Sequence, residues 1–374
     1  MWLPRTDRSL VGRWWWTIDR VTLFALMMLI VVGFVLTLAA SPPVAARLGQ
    51  DQFHFFRRQL IFLLPALVVV FAVSLAPIAG IRRLALLGLA GSFALMVLTL
   101  FSGQEIKGAH RWFYIAGLSI QPSEFVKPCF AVVGGWLLAE ARRGGSWTGY
   151  PVAVALWAAI VGVLFLQPDV GMAVVVTAVF GAQLFIAGLP MVLVGAALCL
   201  AVLGGAAAYS LLPHVASRVD RFLDPSGGGD NYQIERAMEA FQAGGLFGRG
   251  PGDGAVKQIL PDAHTDFVFA VAGEEYGFAV CLLILALFAF IVFRGLGRVL
   301  AESNLFVILA GTGLITQFGL QAVINMGVNL RLMPTKGMTL PFISYGGSSL
   351  LALALGMGML LALTRRRPSV GETE

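Results

Sequence analysis

Charge is scarce in this chain: 12% of its 374 residues are Asp, Glu, Lys or Arg, against 58% that are hydrophobic. A water-soluble fold of that composition would leave too much apolar surface in water, so the soluble globular class is excluded and an integral membrane protein is implied. Cysteine occurs three times. Cys129, Cys199 and Cys281 each fall inside an apolar run without paired spacing, which excludes a disulfide framework and a cysteine-based metal motif. A nucleotide loop is missing too. Gly248, Gly250, Gly252 and Gly254 alternate with Arg249, Pro251 and Asp253, yet no Gly-Lys-Ser/Thr follows and no strand precedes. That run reads as a flexible approach to the next segment. The net charge of +6 calls for no nucleic-acid partner. No internal repeat of the kind that marks inverted transporter halves stands out.

What the sequence has in quantity is apolar runs of the 17 to 25 residues that a bilayer-spanning helix needs. Ten are found, near 20–40, 58–77, 84–102, 121–140, 151–167, 170–188, 191–212, 266–293, 304–326 and 346–364. The expected fold is an all-α integral membrane protein, one polytopic domain over 1–374 with no soluble appendage. Ala39, Ala40 and Ser41 follow the first run, but that run is longer than a cleavable signal region and reads as a retained anchor. Arg5, Arg8, Arg13, Arg20, Arg82, Arg83, Arg142, Arg143, Arg294, Arg298 and Arg365 to Arg367 then mark one side, which puts both termini in the cytoplasm. Trp14 to Trp16 read as an interfacial belt on that side. The segment from Ser41 to Phe56 reads as a plain outer connector. Arg57 and Arg58, on the outer side, read as side chains snorkelling to headgroups.

One large polar stretch, Pro213 to Asp266, separates the seventh and eighth runs and falls on the outer face. Within this loop of residues 213–265, a short amphipathic helix is expected near 231–243. Asp230 would cap it with Gln233 reaching back, Ile234, Met238 and Phe241 would form its apolar stripe, and Gly244 and Gly245 would stop it. It is expected to lie across the membrane surface.

Candidate chemistry gathers on the same face. Lys107, His110 and Arg111 precede Gln121-Pro122-Ser123-Glu124, and Glu124 and Lys127 share one helix face three residues apart. A charge well inside a membrane helix costs about 2.5 to 3.5 kcal/mol or more, so these two pair with one another or line a wet cavity. Asp169, in Gln167-Pro168-Asp169, is either a cap for the sixth helix or part of a site. Asp262, His264 and Asp266 lie where water meets the eighth run, and Asp266 is either a cap or a reactive carboxylate. The last outer loop brings Arg331, Lys336 and Ser344, followed by Gly346-Gly347-Ser348-Ser349 at a helix start, a place suited to a lipid phosphate.

Acids and cations together at an outer membrane surface suit an anionic, lipid-linked substrate. Ordinary glycosidic hydrolysis uses two carboxylates because the leaving group must be protonated. A sugar on lipid pyrophosphate has a leaving group already stable as an anion, so one base that deprotonates the acceptor hydroxyl suffices, with cations or a divalent metal such as Mg or Mn steadying the pyrophosphate.

These motifs resemble the SEDS family (shape, elongation, division and sporulation), from Arg57-Arg58-Gln59 to Tyr345-Gly346-Gly347-Ser348-Ser349. The most specific pieces are Gln121 to Glu124, Gln167 to Asp169, Asp224-Pro225 to Gln233 and Leu260 to Glu275. Pro334-Thr335-Lys336-Gly337 with Thr339-Leu340-Pro341 is more similar to the division-type than to the elongation-type member. The resemblance implies a ten-span inverting glycosyltransferase that polymerises lipid II into β-1,4-linked, undecaprenyl-linked glycan at the outer face of the bacterial cytoplasmic membrane, at the division septum. It implies Asp266 as general base. Glu124, Lys127 and Asp169, with Arg111, Gln121, His264, Arg331, Lys336 and Ser344, become the expected substrate-binding set. The implied partners are a class B penicillin-binding protein transpeptidase and other divisome membrane proteins. The family often has Glu where this chain has Asp262, which weakens a role for that residue. An elongation-type polymerase, a lipid II flippase and a noncatalytic scaffold are the competing readings.

Overall fold

The computed structural model describes residues 9–106, 109–115, 118–144, 148–223, 232–334 and 337–366. Each of the ten apolar runs is a helix. In chain order the helices are α1 (Leu10–Thr17), α2 (Arg20–Arg47), α3 (His54–Ser74), α4 (Ile78–Ser102), α5 (Pro122–Arg143), α6 (Gly149–Leu166) and α7 (Val170–Ile186). Then come α8 (Met191–Leu211), α9 (Pro213–Leu223), α10 (Tyr232–Gly244), α11 (Val268–Leu300), α12 (Leu305–Asn329) and α13 (Gly347–Leu363). Helices α2, α3, α4, α6, α8, α11 and α12 are long and apolar enough to cross a membrane, and α7 and α13 are shorter apolar helices. Helix α5, the remaining apolar run, carries Glu124 and Lys127. The chain is thus a mainly helical, multi-pass membrane protein.

Helices α5 and α12 are buried along most of their length and pack against each other at the centre. Gln183 of α7 reinforces that centre: its Nε2 donates to the carbonyl oxygens of Ala131, at 2.5 Å, and Leu309, at 3.0 Å, so one amide ties α7 to both core helices. Around them α13 packs on α3, α4 on α5, and α11 on α2 and α12.

Five expectations change. Helix α2 runs through Pro42 and Pro43 to Arg47 and α3 begins at His54, so between them most of the segment read as the first connector is helix. Trp14 is core rather than interfacial belt: it is buried and its Nε1 donates to Ser74 Oγ at 2.8 Å. Residues after α4 form three antiparallel strands, β1 (Gln104–Ile106), β2 (Ala109–Ile115) and β3 (Leu118–Ile120), in a chain expected to be wholly helical. Helix α10 forms close to the expected 231–243, although the Asp230 cap lies outside the described residues. Its Ile234, Ala237, Ala240 and Gly244 are buried and it packs on α11, so its apolar stripe is covered by protein rather than by the membrane surface.

The fifth concerns the glycine-rich run read as flexible. Helix α11 is broken at Gly277, whose φ of 78° and ψ of −178° suit only glycine. The break frees backbone groups that lipid cannot satisfy. The preceding loop satisfies them instead: Phe278 and Ala279 N–H donate to Gly245 and Leu246 carbonyls at 2.9 and 3.2 Å, while Arg249 and Gly250 N–H donate to Glu274 and Glu275 carbonyls at 3.0 Å each. Residues 245–250 are therefore a strap bound to α11. Lys257 pairs with Glu275 and donates to the Ala39 carbonyl, which fixes the next turn onto α2.

At the opposite end, Asp19 caps α2 and receives two bonds from Arg294, at 2.9 and 2.8 Å, with Arg298 at 3.4 Å. Arg365 there donates to Thr17 Oγ1 and to the Ser74 and Leu75 carbonyls.

Candidate active site

The turn before α11 is held by one oxygen. The Asp262 carbonyl accepts from Thr265 N–H at 3.0 Å, Asp266 N–H at 3.1 Å and Phe267 N–H at 3.3 Å. Asp262 itself has φ of 50°, a conformation Asp tolerates better than most residues. The N-cap position of α11 belongs to Phe267, so Asp266 is not the cap. With Asp262 and Thr265 it lines a cavity of about 330 Å³. A Cβ on Gly337 would lie 3.1 Å from Asp266 Oδ2, so the segment before α13 passes directly over this carboxylate.

The other walls come from four places in the chain. Arg58 and Phe62 of α3, Trp112 and Ser119 of the small sheet, Gln121 and Glu124 at the start of α5, and Tyr345 to Ser349 at the start of α13 line the same cavity. Glu124 and Lys127 form an ion pair of 2.9 Å. Lys127 Nζ also donates to Gln321 Oε1 at 3.0 Å, Gln321 Nε2 donates to the Thr339 carbonyl at 3.1 Å, and Thr339 and Ser349 hydroxyls are 2.7 Å apart. Gln121 Nε2 donates to Ser123 Oγ at 3.1 Å. Thus a buried charge pair on α5 is connected through α12 to the cavity floor.

His264 packs beside the cavity. Its ring lies 4.3 Å from Phe55 and 5.3 Å from Tyr345, centre to centre, and its carbonyl accepts Tyr345 N–H at 2.9 Å. Burial pulls its imidazole down to about 4, with Asp262 opposing and Arg47 adding to the shift. Burial also raises the Tyr345 phenol, and Arg58 opposes that rise.

Asp169 and Arg111 meet each other rather than the cavity. Asp169 caps α7, its Oδ1 accepting Met172 N–H at 3.2 Å, and Arg111 Nη1 lies 3.6 Å from Asp169 Oδ2. Arg111 also donates to the Gln167 carbonyl at 2.8 Å and to that of Pro168, while Gln167 Nε2 reaches Thr99 Oγ1 at 2.7 Å. This lattice clamps the small sheet to the α6–α7 turn. Ser344 is buried and accepts Leu340 N–H at 2.7 Å, closing the loop before α13. Arg331 is exposed, outside the cavity lining. Lys336 lies outside the described residues.

Arg58, read as a headgroup contact, is instead a cavity wall. The polar residues of α12 went unnoticed: Gln321, Asn325 and Asn329 follow one another at intervals of four, a readable polar file in an apolar helix. Among the described residues no three His, Cys, Asp or Glu side chains cluster closely enough to hold a metal ion. The described donor set therefore does not fit a metal centre held by protein ligands alone.

A family profile covering FtsW, RodA and SpoVE, described as "Cell cycle protein", matches residues 20–368. A "Probable peptidoglycan glycosyltransferase FtsW" of Caulobacter vibrioides is 46% identical over 97% of this chain and 93% of its own. The fold is similar to one in a structure described as "Structural coordination of polymerization and crosslinking by a peptidoglycan synthase complex", with TM-score 0.77, 30% identity and coverage of 93% and 97%. It is also similar to the rod shape determining protein RodA of Thermus thermophilus, with TM-score 0.68, 28% identity and coverage of 94% and 97%.

Proposed function

Since the chain belongs to the FtsW, RodA and SpoVE family of cell cycle proteins, we propose that it is a peptidoglycan glycosyltransferase that polymerises lipid II into β-1,4-linked glycan for septal wall synthesis. The observation that carries this reading is the single cavity in which Asp266, Arg58, Glu124 and the start of α13 converge. Asp266 takes the proton from the acceptor sugar's 4-hydroxyl. The freed oxygen attacks the anomeric carbon of the donor, forming the new C–O bond while the bond from that carbon to the phosphate oxygen breaks. Its electron pair leaves with the lipid pyrophosphate, and an α linkage becomes β by inversion.

The leaving pyrophosphate gains charge as that bond breaks, and donors fixed in advance stabilise such charge most effectively. Arg58 and the backbone donors at the start of α13, near Gly346 to Ser349, are the groups in the cavity suited to this. Lys127 is occupied by Glu124 and Gln321, so its part is to fix the Glu124 carboxylate and the cavity floor in place.

In this reading the cavity end of the bundle faces outward from the bacterial inner membrane at the division septum. A class B penicillin-binding protein transpeptidase cross-links the product, and other divisome proteins recruit the pair. The test is incubation of the purified chain with lipid II, alone and with a transpeptidase partner whose cross-linking site has been blocked. Long glycan strands are expected. Movement of labelled lipid II across vesicle membranes without polymer would favour a flippase instead.

A further inference from the structure

Gln321, Asn325 and Asn329 stand at four-residue intervals along α12, hence on one face, and are 1%, 1% and 0% exposed. A carboxamide buried this deeply is costly unless its hydrogen bonds are made, and two of these amides commit theirs to one atom. Asn325 Nδ2 and Asn329 Nδ2 donate to the main-chain oxygen of Asp266 at 2.9 and 2.8 Å, filling both of its acceptor positions. Asn325 Nδ2 also donates to the Met338 carbonyl at 2.6 Å, which joins the Asp266 turn to the segment that crosses its carboxylate.

Asn329 does something more specific. In a regular helix the Asp266 carbonyl would accept the N–H of Ala270, four residues on. Here Ala270 N–H is shared between the Phe267 carbonyl at 3.0 Å and Asn329 Oδ1 at 3.2 Å, while Asn329 Nδ2 fills the Asp266 carbonyl. One side-chain amide therefore bonds both groups of the hydrogen bond that would draw Asp266 into α11, sharing the Ala270 N–H with the Phe267 carbonyl.

We propose that Asn325 and Asn329 are positioning residues for Asp266, holding its peptide out of the helix so that its carboxylate faces the cavity beneath Gly337. The proposal rests on the reading of Asp266 as general base. Without the Asn329 amide, the Asp266 carbonyl loses one of its two donors and Ala270 N–H keeps only Phe267, so the Asp266 peptide is no longer fixed and its carboxylate shifts with it. Displacement of a reacting group by about 1 Å costs on the order of 100-fold in rate. Arg58, Glu124 and the start of α13 receive none of these asparagine bonds and keep their places.

The experiment is steady-state polymerisation of lipid II by the full chain with its transpeptidase partner, for wild type, Asn325→Ala, Asn329→Ala and Asp266→Asn, with thermal unfolding recorded on the same samples. The expected result is a fall in kcat of about 10- to 100-fold in each asparagine variant with KM within about twofold of wild type. A wild-type kcat per folded molecule, or a loss confined to KM, overturns the positioning role while a dead Asp266→Asn leaves the base reading intact. A wild-type rate in Asp266→Asn overturns the base reading and the positioning role with it. If the alanine variants do not fold, Asn329→Ser decides by the same split: a fall in kcat alone supports the role and a wild-type kcat overturns it.

Discussion

Lys127 Nζ stands 2.9 Å from a carboxylate oxygen of Glu124, one turn back on α5, with the two side chains 1% and 7% exposed. Removing one member strands the other charge in the bundle core. Lys127→Met is expected to lower stability by about 3 to 5 kcal/mol. The double variant Glu124→Gln with Lys127→Met is expected to recover most of that loss but not polymerisation. Thermal unfolding in detergent beside a glycan gel separates the two effects, and a double variant as unstable as Lys127→Met would contradict the pairing.

Asp169 tests the division between clamp and cavity. Its carboxylate caps α7 and meets Arg111, so Asp169→Ala is expected to cost about 1 kcal/mol of stability. Its kcat is expected to stay within several-fold of wild type once matched for folded protein. A loss as complete as that of an Asp266 variant would move Asp169 into the site.

His264 gives the fold a pH dependence. The folded imidazole titrates near 4 and the unfolded one near 6.5, so the unfolded chain binds more protons between those values. Stability from this group is full above about 6.5 and declines as pH falls towards 4, by roughly 3 kcal/mol in all. Melting temperatures from pH 7 to 4 should fall more steeply for wild type than for His264→Phe, which keeps an aromatic ring between Phe55 and Tyr345. Equal slopes would show that His264 does not titrate in this way.

Gly277 tests the strap. Its backbone conformation excludes a side chain, and a Cβ there would run into Gly248 N and Leu246 O. Gly277→Ala is expected to break the bonds from Phe278 and Ala279 and to expose residues 245–254 to limited proteolysis. Unchanged cleavage would mean that the strap holds without the kink.

Much of this was legible because lipid imposes one rule: a spanning segment must be apolar and must satisfy its own backbone. That rule located the ten helices and made Glu124, Lys127 and Asp266 conspicuous as charges at or inside apolar runs. It said less where partners are distant in sequence. Arg58 resembles any arginine at a membrane boundary until the fold brings it beside Tyr345. Strands β1 and β3 span three residues each, too short for alternation to register. The strap was hidden because its hydrogen bonds exist only once α11 breaks at Gly277. The amides of α12 were within reach, since their spacing is visible in the sequence, but uncharged side chains barely disturb an apolar average.

Asp266 is the one carboxylate assigned to take the acceptor's proton. The decisive measurement is the rate of glycan-strand formation from lipid II by wild type and Asp266→Asn, each with its transpeptidase partner and each shown to be folded, with and without chelator. The expected result is polymer from the wild type and none from the variant, with chelator sensitivity reporting separately on a metal. Equal polymer from both would contradict the assignment of Asp266 as the base.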